Sequence, residues 1–369
     1  MECLHLRECG SCTLFSPYDE QVEFKLDFLR ENFSEFYKGD FEFFKSHKSH
    51  YRTRAEFGIW HENNAISYTM NGVNGNKILI KNCPKVSFEI YDFMPKLIEI
   101  LNQFESLKSR LFGVEFIDST SELLCVLLYH KRLDESFKNE LEILKSAFKN
   151  VNFIARSKGV KIVLDEPNLS DKLKIDDKIY TLNYDENAFI QPNKKVNESM
   201  IGWAKSCVKN GTDLLELYCG HGNFTLPLSE KFRAVLATEI SKSSIKNATK
   251  NCKLNNIKNI NFVRLSADEL MSAFNHEREF NRLKNLDIFS YDFSHILVDP
   301  PRAGLSKNVI EFIKNYENII YISCNPSTLK ENLCELAKTH KVVRFAGFDQ
   351  FANTHHLECG VLLTRNFVF

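Results

Sequence analysis

An α/β fold built on a parallel sheet is what this 369-residue sequence predicts, on three observations. Beyond about residue 180, apolar runs recur at 213–218, 234–238, 260–265, 295–298, 319–323, 342–345 and 359–363, with helical patterns between them. Strands alternating with helices read as βαβ units, whose strands lie parallel. Gly220 and Gly222 follow the first run at once, while Asp299 and Cys324 end the fourth and fifth. Ligands of open α/β sheets gather outside the carboxyl ends of the strands, so the chemistry is expected there.

The composition bounds the rest. Hydrophobic residues are 43% and charged residues 26%, which supplies a sizeable core and excludes a disordered chain. At about 100–200 residues per domain the length predicts two domains. The character changes near residue 180. Before it, short alternating runs such as 51–60 and 123–129 mix with helical patterns, so the division is placed at 1–180 and 181–369. No stretch reaches the length of a membrane span, and the start has no basic stretch followed by an apolar one. A cytoplasmic location is expected. Lys and Arg number 48, as do Asp and Glu, so any nucleic-acid site must be a local patch. Eleven cysteines in such a compartment do not suggest a disulfide framework. Some bind metal, some react, or all are buried.

The segment DLLELYCGHGNF enters Gly220 and Gly222 from an apolar strand. Two glycines allow a tight turn and close approach to a ligand. Thr225 stands where a third glycine would complete the dinucleotide signature, and an ordinary strand-to-helix turn fits as well. Glu239 lies nineteen residues after Gly220 at the end of the second run, where an acid holds ribose hydroxyls. No Walker lysine follows the glycines, which favours a nucleoside-type cofactor without a pyrophosphate. Asp268 in SADEL fits either an adenine partner or a helix N-terminal acid.

ILVDPPRAGL puts Asp299 before two prolines that cannot continue a strand ladder. YISCNPSTL puts Cys324 just before Asn325 and Pro326, where a helix is expected to begin. The positive end of that helix is expected to lower the thiol pKa toward neutrality and make Cys324 a nucleophile. Glu358 precedes the last apolar run, as a catalytic base or as a solvated edge carboxylate. His355 and His356 are adjacent, which suits a shared metal poorly.

Together SHYRTRAEFGIWH, LLYHKRLD, FIQPN, LLELYCGHGNFTLPL, ATEISKSS, VDPPRAGL, YISCNP and FDQFANTHHLECGVLL closely resemble the uracil-C5 RNA methyltransferases that use S-adenosylmethionine. The resemblance spans most of the chain. It implies a class I S-adenosylmethionine-dependent methyltransferase (Rossmann-like) domain over 181–369, preceded by an α+β RNA-recognition region. It also implies that Gln191, Tyr218, Asn223, Glu239 and Asp299 hold the cofactor, that Cys324 is the nucleophile, and that Glu358 is the base. Phe189 is a candidate to stack on the target base or a core residue. RNA contact is expected partly from 41–60, where Lys45, Lys48, Arg52 and Arg54 interleave with aromatics.

Cys3, Cys9, Cys12 and Cys83 resemble the four-cysteine [4Fe–4S] site of the family's 23S rRNA enzymes. Zinc and plain thiols are the other readings. The THHLECG ending and FIQPN follow the tRNA-directed members instead, which implies the T arm of tRNA, and tmRNA, as substrate. An rRNA substrate, a small-molecule methyltransferase and a non-catalytic RNA-binding module are the alternatives.

Overall fold

The computed structural model describes residues 3–366. Strands β1 (Glu42–Phe44), β2 (Arg54–Glu62), β3 (Ala65–Asn71), β4 (Lys77–Ile80), β5 (Leu111–Asp118), β6 (Leu123–Tyr129), β7 (Val151–Ser157) and β8 (Val160–Val163) come first. The pair β9 (Ser170–Ile175) and β10 (Lys178–Asn183) follows. Then come β11 (Asp213–Leu217), β12 (Ala234–Thr238), β13 (Ile260–Val263), β14 (Phe293–Val298), β15 (Asn318–Ser323), β16 (His340–Phe348) and β17 (Glu358–Arg365).

β2 to β8 form one sheet in the order β4-β3-β2-β5-β6-β7-β8. Ala55, Phe57 and Ile59 alternate inward along β2. The helix Phe88–Gln103 buries Ile90, Met94, Leu97 and Leu101 in the same core. Ser87 caps that helix by accepting from the Ile90 N–H.

The second sheet has the order β1-β16-β17-β15-β14-β11-β12-β13. Its central strands pair in parallel, as the alternating pattern predicts. Leu214, Leu215 and Leu217 of β11 are fully buried, since a parallel strand has helices over both faces. From β11 the chain winds outward through β12 and β13, then returns to place β14 on the other side of β11. That reversal opens a crevice at the carboxyl ends of β11 and β14.

Two features depart from an all-parallel sheet. β17 runs antiparallel to both β15 and β16, because the short connection from Phe348 to Glu358 permits a hairpin and no crossover. β1 is a parallel neighbour of β16, with Glu42 opposite Ala346. The helix Tyr18–Phe33 sends Leu29 and Phe33 into the core that holds Phe345. Residues 18–44 therefore stand on the carboxyl-terminal sheet. Among the described residues no helix is long and apolar enough to cross a membrane.

Candidate active site

After β11 the backbone turns through left-handed conformations at Tyr218 (φ 62°), Gly220 (φ 56°) and Gly222 (φ 92°). At Gly222 an added Cβ would run into Leu226 Cδ1, and the φ of 92° is one that glycine adopts without strain. An added Cβ at Gly220 would meet nothing within 4 Å, because that face opens on a cavity. The cavity has a volume of about 570 Å³ and sits in the crevice at the ends of β11 and β14. Gln191, Tyr218, Asn223, Glu239, Asp299 and Cys324 all line it.

The polar groups on this wall fit a nucleoside-type methyl donor. Glu239 Oε2 accepts from the Gly220 N–H at 3.2 Å and Oε1 from the Ser241 N–H at 2.8 Å. These bonds fix the carboxylate, and its remaining lone pairs suit ribose hydroxyls. Asn223 is held by reciprocal 2.9 Å bonds with Asn197. Gln191 Oε1 is buried with no partner, an acceptor left for a ligand. Asp268 is not on this wall: it lies in the first turn of the helix Ala267–Phe274, capped by Ser266. Phe189 lines the cavity and is 74% exposed, so it is not a core residue.

Cys324 directly follows β15, and the helix Pro326–Leu336 begins behind the Asn325 cap with Pro326 in its first turn, as the sequence predicts. The thiol does not behave as expected. Burial raises its pKa to about 11, and the nearby Glu358 and Asp299 carboxylates push it the same way. Arg302, which lines the cavity, opposes them. The helix end is outweighed by desolvation and two like charges. Sequence reading passed over Arg302; its place directly after Asp299-Pro-Pro was the available signal.

Glu358 is the first residue of β17 and is 2% exposed. It is not a solvated edge carboxylate: burial, helped by Asp299, raises its pKa to about 8, and Oε2 has no hydrogen-bond partner. Burial likewise raises Asp299 to about 7. A third carboxyl, Glu216 on β11, is raised to about 8 by burial, with Asp299 adding to it. Raised carboxyl pKa values mean that the fold favours the neutral forms. Their contribution to stability is complete below the unfolded values of 3.8 and 4.5 and is lost as pH climbs from there through the folded values. For Glu216, the shift from 4.5 to about 8 predicts a loss of about 2–3 kcal/mol between pH 6 and pH 9. Thermal melts should show Tm falling over that range, and Glu216→Gln should flatten the fall.

The four amino-terminal cysteines lie near enough to one another to interact electrostatically. Burial raises the Cys12 and Cys83 thiols, and the nearby Lys85 ammonium opposes that rise. Lys85, beside them, donates to Ser11 O and Oγ at 2.7 Å each. Among the described residues no group of three or more His, Cys, Asp or Glu is placed to hold a metal ion. The expected [4Fe–4S] or zinc site at Cys3, Cys9, Cys12 and Cys83 therefore has no support from this placement.

The stretch 41–60 is less free than its composition suggests. Arg54 is taken up by Glu115 at 2.7 Å and by the carbonyls of Glu186 and Ala188. Lys45 pairs with Asp19 at 3.4 Å, while Lys48 is exposed. A second basic surface was not anticipated. A cleft of about 720 Å³ on the seven-stranded sheet is lined by His130, Lys131, Arg132, Arg156 and Lys158. On its wall Phe112 stacks on His130, with centroids 3.8 Å apart. Its residues come from three separate stretches, so no local pattern announced it.

Fold and cavity define an S-adenosylmethionine-dependent methyltransferase of class I. The family model described as tRNA (Uracil-5-)-methyltransferase matches residues 17–366. The chain belongs to that family. A tRNA/tmRNA (uracil-C(5))-methyltransferase of Campylobacter concisus is 61% identical over 98% of this chain and 99% of its own length. Its counterpart in Campylobacter curvus is 57% identical over 99% of this chain and 100% of its own. Among solved structures, the Pyrococcus abyssi tRNA (uracil-54, C5)-methyltransferase in complex with S-adenosyl-L-homocysteine superposes with a TM-score of 0.72. It covers 96% of this chain and 86% of that one at 19% identity, a likeness of fold.

Proposed function

We propose that this chain transfers a methyl group from S-adenosylmethionine to C5 of the T-loop uridine of tRNA, and of tmRNA, through a covalent bond between Cys324 and uracil C6. One observation carries the reading: the Cys324 thiol lines the same cavity as the glycine turn and Glu239, with the buried Glu358 carboxyl in electrostatic reach. The names of the close relatives support the substrate.

When bound, the cofactor supplies an electrophilic methyl group on a sulfonium. Gln191, Tyr218, Asn223, Glu239 and Asp299 are assigned to hold it. Cys324 gives its proton to solvent and its thiolate adds to C6, which makes C5 electron-rich. C5 would then take the methyl group, the sulfonium sulfur keeping the bonding pair and departing as a neutral thioether. Glu358 then removes the C5 proton, the C5–C6 double bond re-forms, and the thiolate leaves. A pKa of about 8 keeps Glu358 near the working pH, where a base is most effective. Phe189, on the rim, is assigned to stack on the extruded pyrimidine. The cleft around Phe112 and His130 is assigned to the RNA backbone and an unstacked base.

Methyl transfer from labelled cofactor tests the substrate. Label should enter T-arm RNA and neither free uridine nor 23S rRNA; preference for rRNA would overturn the reading. Removing two exposed charges of the cleft, Arg132→Ala with Lys158→Ala, should raise the KM for tRNA by roughly three- to tenfold. It should also flatten the dependence of binding on salt by about two counterions. Binding titrations at several salt concentrations measure both.

A further inference from the structure

The base sits on a hairpin whose connecting loop, residues 349–357, is clamped by one face of the amino-terminal helix. Phe348 and Glu358 are register partners, so the loop leaves and re-enters the sheet at the base itself. Lys25 Nζ donates to Asp349 Oδ1 at 2.7 Å and to the Phe351 carbonyl at 3.3 Å. Tyr18 donates to Asp349 Oδ2 at 2.8 Å and accepts from the Ser46 N–H at 2.7 Å. Gln21 Oε1 accepts from the Asn353 N–H at 2.9 Å. Tyr18, Gln21 and Lys25 follow spacings of three and four, which put them on one helix face. The side chains of Lys25 and Asp349 are 2% and 0% exposed.

A fully buried ion pair is weak support for stability, because desolvation offsets the attraction. What it does supply is one fixed arrangement of the groups it joins. We infer that Lys25 and Asp349, with Tyr18 and Gln21, are positioning residues that hold the hairpin so that the Glu358 carboxyl faces the substrate's C5 proton. The inference rests on the assignment of Glu358 as the base. It makes the first helix of the chain part of the catalytic apparatus, more than 300 residues away from the group it serves.

Lys25→Met alone leaves a buried carboxylate unpaired and is a poor test. The neutral pair Lys25→Met with Asp349→Asn keeps an acceptor for Tyr18 and strands no charge. With it, turnover on tRNA should fall at least about tenfold, while both KM values stay within about twofold. The methylated enzyme–RNA adduct should accumulate. Adduct formation with 5-fluorouracil-substituted T-arm RNA, which needs Cys324 and no proton removal, should keep its wild-type rate. Lys25→Arg should recover part of the turnover. Full turnover by the neutral pair, or adduct formation and release falling together, overturns the inference. Glu358→Gln run in parallel separates the two claims: normal turnover there removes the base assignment itself. A trapped adduct with Glu358→Gln but none with the neutral pair removes only the clamp.

Discussion

Cys324→Ala is expected to abolish the covalent complex with 5-fluorouracil-substituted T-arm RNA and to lower methyl transfer by at least about a thousandfold. Without addition at C6, C5 has too little electron density to attack a methyl group. Affinity for tRNA and cofactor should change little, since the alanine leaves Glu239, Gln191 and the glycine turn in place. Denaturing gels resolve the adduct and labelled cofactor measures the transfer. The raised thiol pKa of about 11 adds a second expectation. Near neutral pH only a small fraction of free-enzyme molecules carry the thiolate. A cation brought beside Cys324 should increase that fraction. Alkylation of Cys324 by a neutral reagent should therefore be slow in the free enzyme and faster as pH rises.

Glu358→Gln should stop the cycle one step later. Its amide cannot take the C5 proton, so the methylated adduct forms and stays. Steady-state turnover is expected to drop about 100- to 10,000-fold, the range of a lost general base. A first-turnover burst of methyl transfer should remain. In the wild-type enzyme the base is ionised above about pH 8 and Asp299 above about pH 7. kcat/KM should therefore climb from pH 6 to pH 9 with no plateau at neutrality. Loss of the burst together with turnover would remove the assignment of Glu358 to proton removal.

The catalytic sheet was legible because its signals are local. Each apolar run of the second half became a strand, and Tyr218 to Gly222, Asp299 and Cys324 fall at strand ends, where the topology puts a ligand. The pKa of Cys324 was not legible. It depends first on burial and then on Glu358 and Asp299, which stand 34 and 25 residues away in the chain and are brought to the thiol by sheet pairing. Glu216 was hidden among strand residues, with nothing in its neighbours to mark a buried neutral carboxyl. The amino-terminal cysteines had the spacing of a ligand set, but spacing does not report whether the fold gathers them at ligand distance. The Phe112–His130 cleft and the Lys25–Asp349 clamp join distant segments, and one-dimensional patterns carry no such information.

The pairing of Glu42 with Ala346 has a consequence for how the molecule is made. Synthesis runs from the amino end, so β1 and the helix Tyr18–Phe33 emerge early and wait for partners encoded about 300 residues later. Closing so long a loop is slow and leaves an apolar edge open meanwhile. A nascent chain whose β16 and β17 are still inside the ribosome lacks Glu358, and with it the proposed base. Loss of the last thirty residues would strand β1 and the apolar face of the first helix, and such truncated chains should be held by chaperones or degraded.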